Sequence, residues 1–259
     1  MHKCIYIYKD EGVSLCHAQA LKFSLKDTLS NPIHWISSRE VVSENWEMNA
    51  LAFIIPGGRD VPYHRSLQGP GNKKISSYVA AGGSYLGICA GSYYGCKSIE
   101  FDMGHPLEVQ GERELRFYPG IARGPAYGYG TFKYENESSA HLVPLILHPE
   151  GKRVYSYYNG GCYFVEDSLY PHIEVMARYD DIIKKPAAII RCKVGFGQAI
   201  LCGVHPEVGA HNLYTNDTYF LGMKKALEKI EDQRHYLFQL LIQKLISNTS
   251  NNGIAASKV

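Results

Sequence analysis

Residues 83–91 read Gly-Ser-Tyr-Leu-Gly-Ile-Cys-Ala-Gly, and no other stretch restricts the fold of this chain as tightly. An apolar run this short suits a buried strand, because helices need about ten residues or more. The run ends in Gly-x-Cys-x-Gly, where small residues at 87 and 91 let the backbone pass close around Cys89 and turn into a helix. A strand that turns sharply into a helix belongs to a sheet covered by helices, with the turn at the carboxyl end of the strand. Unpaired N–H groups at such a helix start favour a thiolate and a developing oxyanion, which makes Cys89 the candidate nucleophile. Taken alone, the stretch also fits a buried apolar cysteine beside convenient glycines.

The remainder of the first half repeats the alternation. Residues 4–8, 33–37, 51–55 and 84–88 are strand candidates. Between the first two, Leu15, Ala18, Leu21, Leu25 and Leu29 recur at helical spacing until Asn31-Pro32 stops them. From about 100 to 195 Gly, Pro and Tyr are frequent and helical periodicity fades. Short runs at 154–158, 162–165, 174–178 and 187–192 predict strands there. Asn159-Gly160-Gly161, between two such runs, predicts a tight hairpin, since Asn and Gly tolerate positive φ. Phe220, Met223, Leu227, Ile230, Leu237, Leu241 and Leu245 predict one long amphipathic helix ending near 247, with 248–259 as a flexible tail. The expected fold is α/β: a doubly wound, mostly parallel sheet with helices on both faces and an antiparallel β extension in the middle third. Residues 1–247 would form one domain, with an insertion at about 100–195.

Bulk properties exclude several classes. With 259 residues, 45% of them hydrophobic and 20% charged, the chain can bury a large core. A net charge of +2 gives no electrostatic reason to expect nucleic acid or an anionic membrane as partner. No apolar run is long enough to span a bilayer, and the N-terminus passes at once into the alternating Cys4-Ile5-Tyr6-Ile7-Tyr8 segment, so a cytoplasmic location is expected. The seven cysteines lack C-x-x-C spacing, and His64, His105, His141, His148, His172 and His211 lack metal-ligand spacing. Neither a dinucleotide fingerprint nor a Walker loop is present. No metal and no cofactor are therefore expected.

A thiol nucleophile needs a base. Residues 197–204 read as a strand that delivers His205-Pro206-Glu207 at its carboxyl end, where open α/β sheets place their sites. His205 would take the Cys89 proton while Glu207 orients the imidazole and stabilises its cation. Another buried-type strand, Leu51 to Ile55, runs into Pro56-Gly57-Gly58. The N–H of Gly57 or Gly58, together with that of Ala90, would suit an oxyanion hole, on the order of 3 kcal/mol per donor. Arg59 and Asp60 follow this turn and should lie at the rim of the same cleft. Arg59 offers a planar fork for a carboxylate, and Asp60 an acceptor for an amine. Tyr127, within Arg123 to Gly130, belongs either to a pocket-lining loop or to an aromatic turn.

The segments Pro56-Gly57-Gly58, Gly87-Ile88-Cys89-Ala90-Gly91 and His205-Pro206-Glu207, in this order, resemble the class I glutamine amidotransferase-like superfamily. A closer resemblance rests on Pro56 to Tyr63, Gly69-Pro70-Gly71-Asn72, Gly82 to Tyr94, Tyr158-Asn159-Gly160-Gly161 and Gly203 to Glu207. These are similar to the N-terminal domain family of biotin-protein ligases, over roughly residues 3–220. The resemblance implies a flavodoxin-like sheet and an amidotransferase-type site. The biotin-transferring domain of such ligases lies outside this region, and the chain carries no Gly-Arg-Gly-Arg-x-Gly biotinyl-adenylate loop. It is not expected to be a biotin ligase on its own. Glutamine-hydrolysing relatives commonly have a Gln four residues after the nucleophile, where this chain has Tyr93.

The function expected is that of a Cys-His-Glu hydrolase or acyl-transfer enzyme acting on a small amide or amino-acid-like ligand, with Arg59, Asp60, Tyr93 and Tyr127 as binding residues. A ligase or synthetase encoded elsewhere is the protein partner to consider. The alternative is a non-catalytic binding or regulatory module that has kept the pocket. A redox or glyoxalase-like enzyme is disfavoured because such relatives place His directly after the Cys, where Ala90 stands.

Overall fold

Strands that are apolar on both sides must lie between two helical layers, and the centre of this sheet is built from such strands. The computed structural model describes residues 3–134, 137–212 and 218–255, apart from the side chains of 218–221 and 248–255. β1 (Cys4–Tyr8), β2 (Ile33–Ile36), β3 (Ala50–Ile55) and β4 (Ser84–Ile88) are joined by β13 (Gly197–Cys202) in the parallel order β2-β1-β3-β4-β13. β3, β4 and β13 are buried along their whole length.

The period of two sends alternate side chains to opposite layers. Ala52 and Ile54 of β3 join Leu21 and Leu25 of α1 (Leu15–Thr28) and Leu237, Leu241 and Leu245 of α6 (Thr218–Ala255). Phe53 and Ile55 join Tyr63 and Leu67 of α3 (Asp60–Leu67) and Ile75 and Val79 of α4 (Pro70–Ala80). The short α2 (Ser38–Ser43) is closed by a capping box between Ser37 and Glu40. α5 (Ala90–Tyr94) follows β4 directly.

Beyond β13 the sheet turns antiparallel, as the middle third of the sequence predicts. Its further strands are β5 (Cys96–Phe101), β6 (Val109–Glu112), β7 (Tyr118–Gly124), β8 (His141–Leu147), β9 (Arg153–Tyr158), β10 (Tyr163–Phe164), β11 (Ile173–Tyr179) and β12 (Ala187–Val194). The path runs β13-β12-β10-β7-β5-β6, and a branch runs from β12 through β11 and β8 to β9. Within the described residues of this extension only β5 and β7 pair in parallel.

Two expectations need correction. Asn159-Gly160-Gly161 does not close a hairpin: β9 pairs with β8, whereas β10 pairs with β7 and β12. The end of β9 is instead bridged to the segment that follows β13, with the His205 N–H donating to the Tyr157 carbonyl at 2.8 Å. Gly160 does take φ +73°, but Gly161 lies so close to the Gly203 backbone that the segment is a crossing held against the sheet. The last helix also runs through Ala255, past the stop expected near 247. Asn and Ser cost a helix only about 0.5 kcal/mol each and Gly253 about 1 kcal/mol, and no Pro stands between 247 and 255. Phe220 lies outside the described side chains, and 256–259 lie outside the described residues.

The tight passage of α5 against β3 is a test of the fold. A Cβ at Gly91 would overlap the Ile55 carbonyl, whereas one at Gly151, φ +68°, would meet no atom within 4 Å. Gly91→Ala should cost roughly 3 kcal/mol or more, and Gly151→Ala only about 1–2 kcal/mol of left-handed backbone strain. Urea denaturation of the two variants gives the comparison.

Candidate active site

Cys89 caps the N-terminus of α5 with φ 49° and ψ −106°, a conformation a side chain tolerates only when the surroundings fix it. Three bonds fix it. The Cys89 N–H donates to the Cys202 carbonyl at 2.8 Å, the Tyr85 hydroxyl to the Gly91 carbonyl at 2.8 Å, and the Ser92 hydroxyl to the Cys89 carbonyl at 2.7 Å. The thiol is 7% exposed, with Sγ 3.6 Å from the Asn159 carbonyl oxygen.

β13 delivers His205 and Glu207 beside it. His205 Nδ1 bonds Glu207 Oε1 at 2.8 Å, and both side chains are fully buried. Their backbone is anchored from three further elements. The Ser24 hydroxyl of α1 and the Asn212 amide donate to the Glu207 carbonyl at 2.9 and 3.1 Å, and Arg234 of α6 donates to the Pro206 carbonyl at 2.7 Å. Burial opposes a charge on His205, but the Glu207 carboxylate, and after it the Cys89 sulfur, outweigh burial and hold its pKa well above the usual imidazole range. Nε2 of His205 is buried without a hydrogen-bond partner, with Cys89 lining the same cavity.

The Gly turn after β3 is the third wall. A Cβ at Gly57 would stand 2.7 Å from His205 Cε1 and 3.6 Å from Cys89 Cβ, so only glycine fits there. The Ser14 N–H and the Tyr63 hydroxyl take the Gly57 carbonyl at 3.0 and 3.1 Å, which fixes the direction of the following peptide. Gly58 and Ala90 line the cavity with Cys89, and the Ala90 N–H, at the first position of α5, has no partner within the helix.

The expected binding residues divide. Tyr93 lines the cavity, 4% exposed, with its hydroxyl donating to the Gly160 carbonyl at 3.1 Å. Asp60 also lines it, but its Oδ2 lies 2.7 Å from both Nε and Nη2 of Arg113, so its carboxylate is not an open acceptor for a ligand amine. Arg59 is exposed at the rim, its guanidinium 5.6 Å from the centroid of the Tyr134 ring. Tyr127 lies outside the cavity: its ring packs edge-on against Tyr158 at 5.0 Å and its hydroxyl bonds Asp181.

Sequence reasoning overlooked His17, Arg113, Tyr134, Glu137 and Asn159, all brought to this place by tertiary structure. Glu137 Oε2 accepts from the Tyr157 hydroxyl at 2.6 Å and from the Asn159 amide. No cation among the described residues pairs with Glu137. Among them, too, no group of three or more His, Cys, Asp or Glu could hold a metal ion.

Comparison with known proteins places the chain in a family and a fold. The family model described as biotin-protein ligase, N terminal, matches residues 3–258. An uncharacterized protein of Chlamydia muridarum is 33% identical over 94% of this chain and 95% of its own length. The biotin–protein ligase of Schizosaccharomyces pombe is 34% identical over 96% of this chain, which spans 39% of that ligase. Among solved structures, a glutamine amidotransferase superposes with a TM-score of 0.56 at 17% identity, covering 85% of this chain and 98% of its own.

The cause of the raised His205 pKa can be tested directly. Burial favours neutral imidazole and is outweighed by the Glu207 and Cys89 charges together, and Glu207→Gln removes the larger of the two. By ¹⁵N NMR between about pH 5 and 9, His205 should be imidazolium at neutral pH in the parent and neutral in Glu207→Gln.

Proposed function

This chain belongs to the biotin-protein ligase N-terminal family, within the class I glutamine amidotransferase-like superfamily, and from that premise we propose that it performs acyl chemistry on a small amide or amino-acid-like substrate through Cys89. The observation that carries the reading is the buried Glu207–His205 pair beside a strained cysteine elbow in one cavity. In this mechanism the Cys89 sulfur attacks the substrate carbonyl carbon and the C=O electrons move onto oxygen, towards the Gly58 and Ala90 N–H groups. Collapse breaks the carbon–nitrogen bond, and the leaving amine takes its proton from His205. Water then attacks the thioester carbonyl carbon and gives a proton to the imidazole, and the C–S bond breaks to restore the Cys89 thiolate beside the imidazolium. Ligation of biotin stays with the remainder of the longer relative, and a ligase or synthetase is the proposed partner.

The charge pattern of the cavity supports an amine-bearing ligand. Asp60 is paired with Arg113, while Glu137 makes no ion pair among the described residues, although Lys133 lines the same cavity, so Glu137 takes the role that local sequence suggested for Asp60. A second reading, a binding module without turnover, is favoured by one contact: the Cys89 thiol already donates to the Asn159 carbonyl, at 3.6 Å.

Incubation with amides, γ-glutamyl compounds and small esters, read by mass spectrometry, separates the two. A covalent adduct on Cys89, absent from Cys89→Ala, is the expected result; binding of the same compounds without any adduct would leave the module reading. Free glutamine should be a poor substrate, because the Tyr93 phenol occupies the position of the usual Gln and its hydroxyl is held by Gly160. Ammonia release that depends on Cys89 would contradict this. Glu137→Gln should weaken amine-bearing ligands about tenfold and leave their N-acetyl analogues unchanged in equilibrium dialysis.

A further inference from the structure

One buried histidine has no part in the steps above. His17 of α1 is 7% exposed, and its ring stacks on that of His205 with centroids 4.3 Å apart and planes 31° from parallel. It lines the same cavity as Cys89, and a Cβ at Gly57 would stand 3.4 Å from its Nδ1. Nδ1 is buried and has no hydrogen-bond partner among the described residues. A buried acceptor without a partner is better tolerated than a buried N–H without one, so the ring proton belongs on Nε2.

The charge state follows from the neighbours. Burial and then the charge on His205 push the His17 pKa down to about 4, against the opposing pull of Glu137 and Glu207. The Tyr157 ring, 6.2 Å away, brings no charge. At neutral pH the stack therefore holds one imidazolium and one neutral imidazole. The charged ring exchanges protons with sulfur and leaving group. A neutral ring suits a different task, donating a hydrogen bond to an oxygen that gains negative charge without surrendering its proton.

We infer that His17 is a second catalytic histidine, whose Nε2–H donates to the reacting carbonyl oxygen as the tetrahedral centre forms on Cys89. The inference rests on the reading of Cys89 as nucleophile. His17 neither gains nor loses a proton in the step: sulfur supplies the electron pair of the new S–C bond, the C=O pair moves to oxygen, and its return expels the leaving group.

Two reactions of the same thiol separate this role from a positioning one. Acylation by p-nitrophenyl acetate builds an oxyanion, whereas alkylation by iodoacetamide does not. In His17→Phe, which keeps a ring against His205, acylation of Cys89 should fall about a hundredfold while alkylation changes by less than about twofold. His17→Gln, which regains an N–H, should recover part of the acylation rate. Equal loss in both reactions, or no loss in either, overturns the inference. A ¹⁵N NMR titration of the parent protein reads the ring itself, whatever the fate of the nucleophile. His17 should be neutral with its proton on Nε2 at neutral pH, and a charged ring or a proton on Nδ1 overturns the proposal even if Cys89 proves inert. Absence of any Cys89 modification by either reagent, with His17 neutral and Nε2-protonated, would sink the nucleophile instead.

Discussion

A carboxylate and an imidazole, both fully buried, face each other 2.8 Å apart, and much of the surrounding chain exists to make that arrangement tolerable. Removing two ionisable groups from water costs several kcal/mol each unless geometry and further hydrogen bonds offset it. Glu207 Oε2 makes no hydrogen bond among the described residues, so what distant elements supply is the geometry of the pair. α1 contributes Ser24, the segment before α6 contributes Asn212, α6 contributes Arg234, and the end of β9 contributes the Tyr157 carbonyl. All four bind backbone of the His-Pro-Glu segment and leave the ring and carboxylate to each other. Arg234 is itself only 2% exposed and is paired with Glu231, so the last helix is more than an apolar cover for the sheet.

Position follows from close backbone approach. Glycines 57, 87 and 91 stand where an added Cβ would meet His205, the Gly91 carbonyl or the Ile55 carbonyl. They draw β3, the elbow and β13 together, so three strand ends of the parallel core converge on one cavity. The antiparallel extension then supplies the other walls. Phe101, Phe132, Tyr134, Glu137 and Asn159 all come from it or from its loops. The core holds the reacting groups and the extension lines the space a substrate would occupy.

This division explains what was legible in the sequence. β1 and β4 fall on the residues expected, and β2 and β3 within one residue of them, because buried strands of about five apolar residues bounded by turn residues leave few alternatives. Cys89, His205 and Glu207 were legible for the same reason: each sits at a strand end whose local pattern announces a turn. His17 was not, since within α1 it is a polar residue between Cys16 and Ala18 and becomes notable only when His205 stacks on it. Arg113 carries no local signal of its pairing with Asp60. The hairpin expected at Asn159 failed because turn residues report what the backbone permits, whereas strand pairing is decided by which edges are free. Here the free edge of β9 meets His205.

The electrostatics of the cavity ties these parts into one argument. Asp60 and Arg113 cancel each other in the wall, so they shape the site without setting its charge. His205 is held charged by Glu207, and His17 is kept neutral partly by that same charge. The two rings therefore cannot exchange roles: protonating His17 would place a second cation 4.3 Å from the first. Glu137 accepts from Tyr157 and Asn159 and makes no ion pair among the described residues, with Lys133 in the same lining. The site can thus recognise charge at one end while it rests with one charged and one neutral imidazole at the other.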